Sequence, residues 1–229
     1  MKRLIYHHRY FFIPYLFFVL ISVLVLLLFS KAQIHIELNK LNTPFFDQFF
    51  KRITYLGDGL VYLLLLSILL LYSYRWSIIF TTSVVLSNLA VFIGKHMIFY
   101  EAYRPSKYFE LYEKYKLHLV QGVSLHSLHS FPSGHTTTAF TLFIMLAFLV
   151  RNNFLKFLCF IVALLTGYSR IYLSQHFLVD VLVGSVIGVT SVLITWHLLD
   201  GYNQFWFDDS LVSSIRKRRK KDVPVAVSE

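Results

Sequence analysis

Three short stretches of this chain contain the residue types that bind phosphate and transfer protons. They are Arg104–Pro105, Pro132–His135 and Ser169–Asp180. Each lies beside a long hydrophobic run, where an ionisable side chain is costly unless it has a task. Arginine supplies paired donors for phosphate oxygens, and histidine can attack phosphorus or exchange a proton. The sequence therefore predicts a phosphate site.

The second stretch has the features of an anion-binding helix start. Ser133, Gly134 and His135 directly precede an apolar run, so the unpaired N–H groups and the dipole of a helix would favour a negative charge there. Serine adds a hydroxyl donor, glycine permits close approach, and histidine can protonate a departing oxygen. The alternative is a plain helix start with Ser133 as its N-cap.

The third stretch combines a histidine, a carboxylate and an arginine. His176 and Asp180 are four residues apart, so we expect them on one face of a helix. The carboxylate would hold one imidazole N–H and leave the other nitrogen free to attack. Arg170 would bind phosphate oxygens in pairs. The structural alternatives are an arginine that snorkels from a helix end and an ordinary charge pair at a helix start.

Composition places these groups in a membrane protein. The 229 residues are 56% hydrophobic and 15% charged, which is too apolar for a soluble surface. The single cysteine, Cys159, excludes an internal disulfide and a thiolate metal cluster, and we expect it to be buried. The net charge of +10 comes from basic residues that bracket hydrophobic runs. This distribution argues against a nucleic-acid partner.

The hydrophobic runs predict an all-α integral membrane protein with a six-transmembrane-helix bundle. Three uncharged runs have membrane length: Phe11–Phe29, Trp76–Gly94 and Val181–Leu199. Three shorter runs reach it with adjoining polar residues: Gly59–Tyr74, His135–Val150 and Phe157–Ser169. We expect the bundle to occupy residues 1–210, with the motifs within 95–180, and to be followed by a basic cytoplasmic tail, 211–229.

The positions of the basic residues predict the orientation. Lys2, Arg3 and Arg9 precede the first span, and an uninterrupted basic run occupies Arg216–Lys221. Because basic residues favour the cytoplasmic side, we expect both termini there. The tail is also suited to contact anionic membrane lipids. The first two motifs and the third then emerge on the same outer face, and one helical hairpin lies between them in the sequence.

The polar segment between spans three and four is rich in tyrosine. This composition predicts a short interfacial helix.

At these residues the chain resembles the membrane branch of the type 2 phosphatidic acid phosphatase superfamily. That family combines a lysine and Arg-Pro, then Pro-Ser-Gly-His, then Ser-Arg with a histidine and an aspartate at fixed spacing. The second and third motifs are complete here. The first departs from the pattern, because the usual spacing requires lysine where this chain has Met97, and Lys95 lies two residues early. An altered turn after the third span could still bring Lys95 to phosphate.

The resemblance implies a role for each motif residue. His176 is the nucleophile that forms a phosphohistidine, Asp180 orients it, and His135 protonates the leaving oxygen and then activates water. The implied phosphate ligands are Lys95, Arg104, Ser133, Gly134 and Arg170. The resemblance implies no cofactor or metal. The cluster of His126, His129 and His135 suggests zinc, but the segment lacks a nearby acid or cysteine to complete such a site.

The implied substrate is a lipid phosphate or diphosphate at the outer face of the inner membrane. Lipid A is the first expectation and undecaprenyl diphosphate the second, with phosphatidylglycerophosphate and phosphatidic acid as further choices within the family. Two other classes stay open. A phosphotransferase would pass the same phosphohistidine to a second lipid, and a non-catalytic lipid-binding protein would keep only the fold. The sequence leads to no expectation for the oligomeric state.

Overall fold

The structure, a computed structural model, describes residues 1–202, 204 and 206–215, and all regular structure in these residues is helical. The helices are α1 (Lys2–His7), α2 (Arg9–Leu28), α3 (Lys31–Asn39), α4 (Pro44–Ile53), α5 (Gly59–Tyr72), α6 (Tyr74–Ile93), α7 (Pro105–Tyr112), α8 (Gly134–Leu149), α9 (Asn153–Tyr172) and α10 (Leu178–Leu199). A 3₁₀ turn, Thr54–Gly57, precedes α5, and a π-helical turn, Gly94–Ile98, follows α6. The all-α prediction is confirmed.

In the described part of the chain, four helices are long and apolar enough to cross a membrane: α2, α6 with its π-helical turn, α9 and α10. The α4 and α5 region gives a fifth candidate, a pair bent by 53°. The remaining apolar helix, α8, has 16 residues and so extends about 24 Å, which is shorter than a typical bilayer core. The membrane bundle is supported, and the count of six spans stays a prediction.

Helix α8 is the most enclosed of these helices and packs against α6, α9 and α10. Two glycines of α10 permit its close contact with α8. A Cβ atom at Gly184 would lie 2.6 Å from the Ser133 carbonyl oxygen, and one at Gly188 would lie 2.7 Å from that of Thr137. Small residues four apart are a common way to bring two membrane helices together. This contact places the start of α8 beside the start of α10.

The segment between α6 and α8 contains one short helix, α7, as the sequence predicted. Its Phe109 packs in a small apolar cluster with Ala32 and Phe177. Backbone hydrogen bonds from Arg104 N to Ser127 O (2.9 Å) and from Ser130 N to Ala102 O (3.0 Å) hold the rest of the segment to the start of α7. The interfacial location of α7 stays a prediction. Of the predicted basic tail, residues 216–229 lie outside the described part of the chain.

Candidate active site

The end of α9 sets the position of His176. After Tyr172 the chain turns through Ser174, which has a positive φ of 51°. The Arg170 carbonyl then accepts hydrogen bonds from the N–H groups of Gln175 (2.9 Å) and His176 (3.0 Å). These two bonds fold the segment back onto the last turn of α9. Arg170 and His176 are therefore held in one compact turn.

Asp180 holds one nitrogen of His176. The distance from His176 Nδ1 to Asp180 Oδ2 is 3.3 Å, and both side chains are buried. The expectation that both residues share a helix face was wrong, because α10 begins at Leu178 and His176 precedes it. Asp180 Oδ2 accepts the Phe177 N–H (3.0 Å) and the Ser130 hydroxyl. The carboxylate is thus fixed at the helix start, where it contacts His176 Nδ1.

The surroundings of His176 keep its imidazole neutral. Burial lowers its pKa well below the usual value, and the nearby charges of Arg104, Arg170 and Lys95 lower it further. A hydrogen bond with the Ser130 backbone acts in the opposite direction. A neutral imidazole has the free lone pair that a nucleophile needs.

Ser133 links the second motif to the third. Its backbone N–H donates to the Asp180 carbonyl at 3.0 Å. Its Oγ is the N-cap of α8 and accepts from the Thr136 N–H (3.4 Å) and the Thr136 hydroxyl (2.8 Å). In the described residues the Ser133 hydroxyl accepts these two bonds and donates none. At the next residue, a Cβ on Gly134 would meet only Val91, at 3.7 Å. Protein packing therefore does not explain this glycine.

Two buried arginines, Arg170 and Arg104, lie near His176. Arg170 Nη1 donates to Thr54 Oγ1 at 2.7 Å, while its Nε is buried and has no partner in the described residues. Arg104 Nε donates to the Leu128 carbonyl (3.0 Å), and its Nη1 donates to Gln175 Oε1 (2.9 Å). Burial lowers the pKa of Arg104, and the charge of Asp180 opposes this shift. Buried cations with spare donors favour an anionic ligand.

Lys95 lies in the π-helical turn after α6. Its Nζ donates to the His129 carbonyl at 3.0 Å, and His129 Nδ1 lies 3.0 Å from the Lys95 carbonyl oxygen. Met97, at the usual lysine position of the motif, is 68% exposed. A π-helical turn contains more residues per turn than an α-helix, so it changes which side chains face inward. The charge of Lys95 acts on His176 together with those of the two arginines.

His135 lines a cavity of about 260 Å³ together with Arg170, Thr54 and Asp58. Its Nε2 lies 2.8 Å from Asp58 Oδ1. Thr54, Asp58 and the arginine partner Gln175 were not predicted from the sequence. For Asp58 a signal was present, since it is an acidic residue between two glycines at the start of an apolar run.

The three histidines considered for zinc have other surroundings in the structure. His129 pairs with the Lys95 backbone, His135 pairs with Asp58, and His126 lines the cavity. Among the described residues, no three His, Cys, Asp or Glu side chains are grouped so that they could hold a metal ion.

A protein-family model matches the part of the chain that contains the three motifs. The model of the PAP2 superfamily matches residues 76–204, which is more than half of the chain. The chain therefore belongs to the PAP2 superfamily.

Individual relatives match shorter parts of the chain. The chain is 47% identical over 60 residues to undecaprenyl-diphosphatase BcrC of Bacillus subtilis, covering 26% of this chain and 30% of that protein. It is 36% identical over 61 residues to lipid A 4'-phosphatase of Porphyromonas gingivalis, covering 27% of this chain and 26% of that protein. The chain thus spans less than a third of the length of either relative. The crystal structure of Aquifex aeolicus LpxE is similar over 72% of this chain and 93% of its own, with 28% identity and a TM-score of 0.63.

Proposed function

We propose that this protein is an integral membrane phosphatase that removes a phosphate from a lipid headgroup through a phosphohistidine intermediate. The observation that carries the proposal is the contact between His176 Nδ1 and Asp180 Oδ2, at 3.3 Å, beside three buried or half-buried cations. The contact fixes the tautomer of the ring, and the cations attract the phosphate. Membership of the PAP2 superfamily supports the same chemistry.

In the first step, His176 Nε2 attacks phosphorus and a P–N bond forms while the P–O bond to the lipid breaks. His135 gives its proton to the departing oxygen, so the lipid leaves as an alcohol, or as a monophosphate when the substrate is a diphosphate. Asp180 stabilises the positive charge that develops on the His176 ring. The phosphoryl group is then held on nitrogen.

In the second step, water attacks phosphorus and the P–N bond breaks, which restores neutral His176. His135 accepts a proton from this water and is ready for another cycle. The negative charge on the transferring group is greatest at its three outer oxygens. We assign these oxygens to the following donors: Lys95, Arg104, the Ser133 hydroxyl, the Gly134 N–H and Arg170.

Lipid A is the substrate that we propose first. Supporting it is the 36% identity over 61 residues to a lipid A 4'-phosphatase. Undecaprenyl diphosphate is the second candidate, because the match to undecaprenyl-diphosphatase BcrC has 47% identity. Phosphatidylglycerophosphate is the third. In each case the tails would stay in the bilayer while the phosphate enters the site.

We propose that the protein spans the inner membrane with both termini in the cytoplasm and the site at the outer face. The basic residues at the two ends of the sequence support this orientation. A substrate in the outer leaflet would then reach the site directly. Labelling of single cysteines placed near each terminus and near His126, in intact cells, tests the arrangement.

Phosphate release by the purified protein in detergent tests the proposed activity. The substrates are lipid A, undecaprenyl diphosphate, phosphatidylglycerophosphate and phosphatidic acid, each assayed with a chelator. We expect His176→Ala to lower turnover by about 10³-fold or more while the protein stays folded. The matched control is His118→Ala, which removes the histidine of another His–Asp pair, 3.0 Å apart, and keeps activity.

Three results would contradict the proposal. A folded His176→Ala protein with normal turnover would remove the nucleophile. Phosphate transferred to an added lipid alcohol in preference to water would make the protein a phosphotransferase. Absence of both release and transfer, with lipid still bound, would make it a lipid-binding protein.

A further inference from the structure

Asp58 occupies a helix-capping position without capping the helix. It is the N-cap residue of α5, and its side chain makes no capping hydrogen bond. Aspartate is among the preferred N-cap residues because its oxygens accept from the free N–H groups of the first turn. Here Asp58 Oδ1 lies instead 2.8 Å from His135 Nε2. The carboxylate therefore contacts a residue of α8 and does not cap its own helix, α5.

The backbone around Asp58 is built to bring this carboxylate to His135. A Cβ atom at Gly57 would lie 2.8 Å from the His135 carbonyl oxygen and 2.9 Å from its Cβ. Any side chain at position 57 would therefore push the 3₁₀ turn away from the start of α8. Thr54, at the other end of the same turn, accepts the Arg170 hydrogen bond at 2.7 Å. The turn thus contacts two of the motif residues.

The other charged groups near His135 are cationic or neutral. The positive charges of Arg170, Arg104 and Lys95 act on it, as does His176. Lys51 and His126 line the same cavity. Asp58 is the acidic side chain that contacts the ring. A carboxylate in this position acts against the effect of the cations, which oppose a protonated His135.

We propose that Asp58 is the positioning residue for His135, the proton donor and acceptor of the reaction. This inference rests on the proposed function. By accepting the Nε2–H hydrogen bond, Asp58 fixes the tautomer and orientation of the ring, and Nδ1 becomes the atom that exchanges protons. The site then contains two carboxylate–histidine pairs of opposite polarity. Asp180 holds Nδ1 of the nucleophile, and Asp58 holds Nε2 of the acid–base residue.

The proton follows a defined route in this arrangement. When the P–O bond of the lipid breaks, the proton on His135 Nδ1 moves to the departing oxygen, and the neutral ring keeps its Nε2–H on Asp58. When water later attacks the phosphohistidine, Nδ1 takes a proton from that water and the ring is again a cation. Asp58 accepts the Nε2–H hydrogen bond throughout and stabilises the cationic form of His135.

The exposure of the pair supports a role in catalysis over one in folding. The side chains of His135 and Asp58 are 35% and 36% exposed. An ion pair with that much access to solvent contributes little to stability. Loss of the Asp58 charge should therefore leave the fold intact and change the reaction.

The test is Asp58→Asn, which keeps the shape of the side chain and removes its charge. Two substrates are compared: an alkyl lipid phosphate, whose leaving oxygen needs a proton, and p-nitrophenyl phosphate, whose leaving group does not. We expect the first-turnover rate on the alkyl substrate to fall by about 10- to 100-fold, with a smaller change in KM. On p-nitrophenyl phosphate, the burst of nitrophenolate should change by less than about threefold.

The matched control is Asp47→Asn, which removes the charge from the His118–Asp47 pair and should leave the ratio of the two rates unchanged. Equal losses on both substrates in a folded Asp58→Asn protein, or no loss on either, would overturn the proposal. So would the same selective loss in Asp47→Asn. A wild-type protein that releases phosphate from neither substrate would instead contradict the proposed function, which distinguishes the two failures.

Discussion

Thr54 Oγ1 accepts a 2.7 Å hydrogen bond from Arg170 Nη1, and these two residues lie 116 positions apart in the chain. Both residues are buried. The bond joins the 3₁₀ turn before α5 to the last turn of α9 and fixes one edge of the guanidinium. The buried Nε of Arg170 has no partner in the described residues. The orientation of the remaining donors of Arg170 therefore depends on a residue outside the three motifs.

Replacement of Thr54 tests this dependence. Thr54→Val keeps the volume of the side chain and removes the acceptor, so Arg170 loses its anchor. We expect KM to rise by about 5- to 20-fold and the free energy of unfolding to fall by about 1 kcal/mol. Thr190→Val is the control, since within the described residues the Thr190 hydroxyl donates only to carbonyls of its own helix. An unchanged KM in a folded Thr54→Val protein would show that Arg170 needs no support from this turn.

Lys95 and Met97 provide a test of the displaced first motif. Lys95→Ala should lower kcat/KM by about 10- to 100-fold, because a cation near the transferring phosphoryl group is lost. Met97→Ala should leave kcat/KM within about twofold, since this side chain is 68% exposed and carries no charge. Steady-state kinetics on the preferred lipid measure both. If Lys95→Ala has normal kinetics, Lys95 is an interfacial residue with no contact to phosphate.

Much of the fold and of the motif geometry could be predicted from the sequence, because both depend on local patterns. Long uncharged runs predicted the membrane helices, and the helix start after Ser133 was predicted correctly. The relation of His176 to Asp180 was predicted only in part. The four-residue spacing suggested that both residues lie in one helix. In the structure, Asp180 accepts a hydrogen bond from the Phe177 N–H at the start of α10, and His176 precedes that helix.

The supporting residues could not be predicted, because their partners are distant in sequence. Asp58 meets His135, and Thr54 meets Arg170, only after α8 and α9 have packed against the 3₁₀ turn. No spacing rule connects such pairs. A local hint existed in Gly57-Asp58-Gly59, but it is also a common helix-start pattern. The π-helical turn at Lys95 likewise depends on packing, since its sequence contains no proline or other specific signal.

The buried side chain of His35 leads us to expect that the stability of the protein depends on pH. It is 1% exposed, packs against Phe109 and Phe177, and its Nε2 lies 3.2 Å from Ser174 Oγ. Burial lowers its pKa from 6.5 to about 4, and the charge of Asp180 opposes the shift. As pH falls below 6.5, the unfolded chain takes up a proton that the folded chain does not, so stability is lost until the pH reaches the folded-state pKa.

The full size of this loss is about 3 kcal/mol. Thermal unfolding of the detergent-solubilised protein at pH 7.5 and pH 4.5 measures it, with His35→Gln as the comparison. The glutamine does not titrate and keeps a group able to hydrogen-bond to Ser174. We expect the decrease in Tm on acidification to be smaller in His35→Gln than in the wild type. Equal decreases would mean that His35 is protonated in the folded protein.

The protein's own packing does not require a glycine at position 134. A Cβ there would meet Val91 at 3.7 Å, an ordinary contact, so Gly134→Ala should fold with a Tm near that of the wild type. If the backbone N–H of Gly134 binds a phosphate oxygen, the added methyl group stands where the ligand must approach, and kcat/KM should fall by about 10²-fold. Gly201→Ala, where a Cβ meets nothing within 4 Å, is the control and should keep its activity. A Gly134→Ala protein with normal kinetics would remove this N–H from the phosphate ligands and leave Ser133 as the donor at the start of α8.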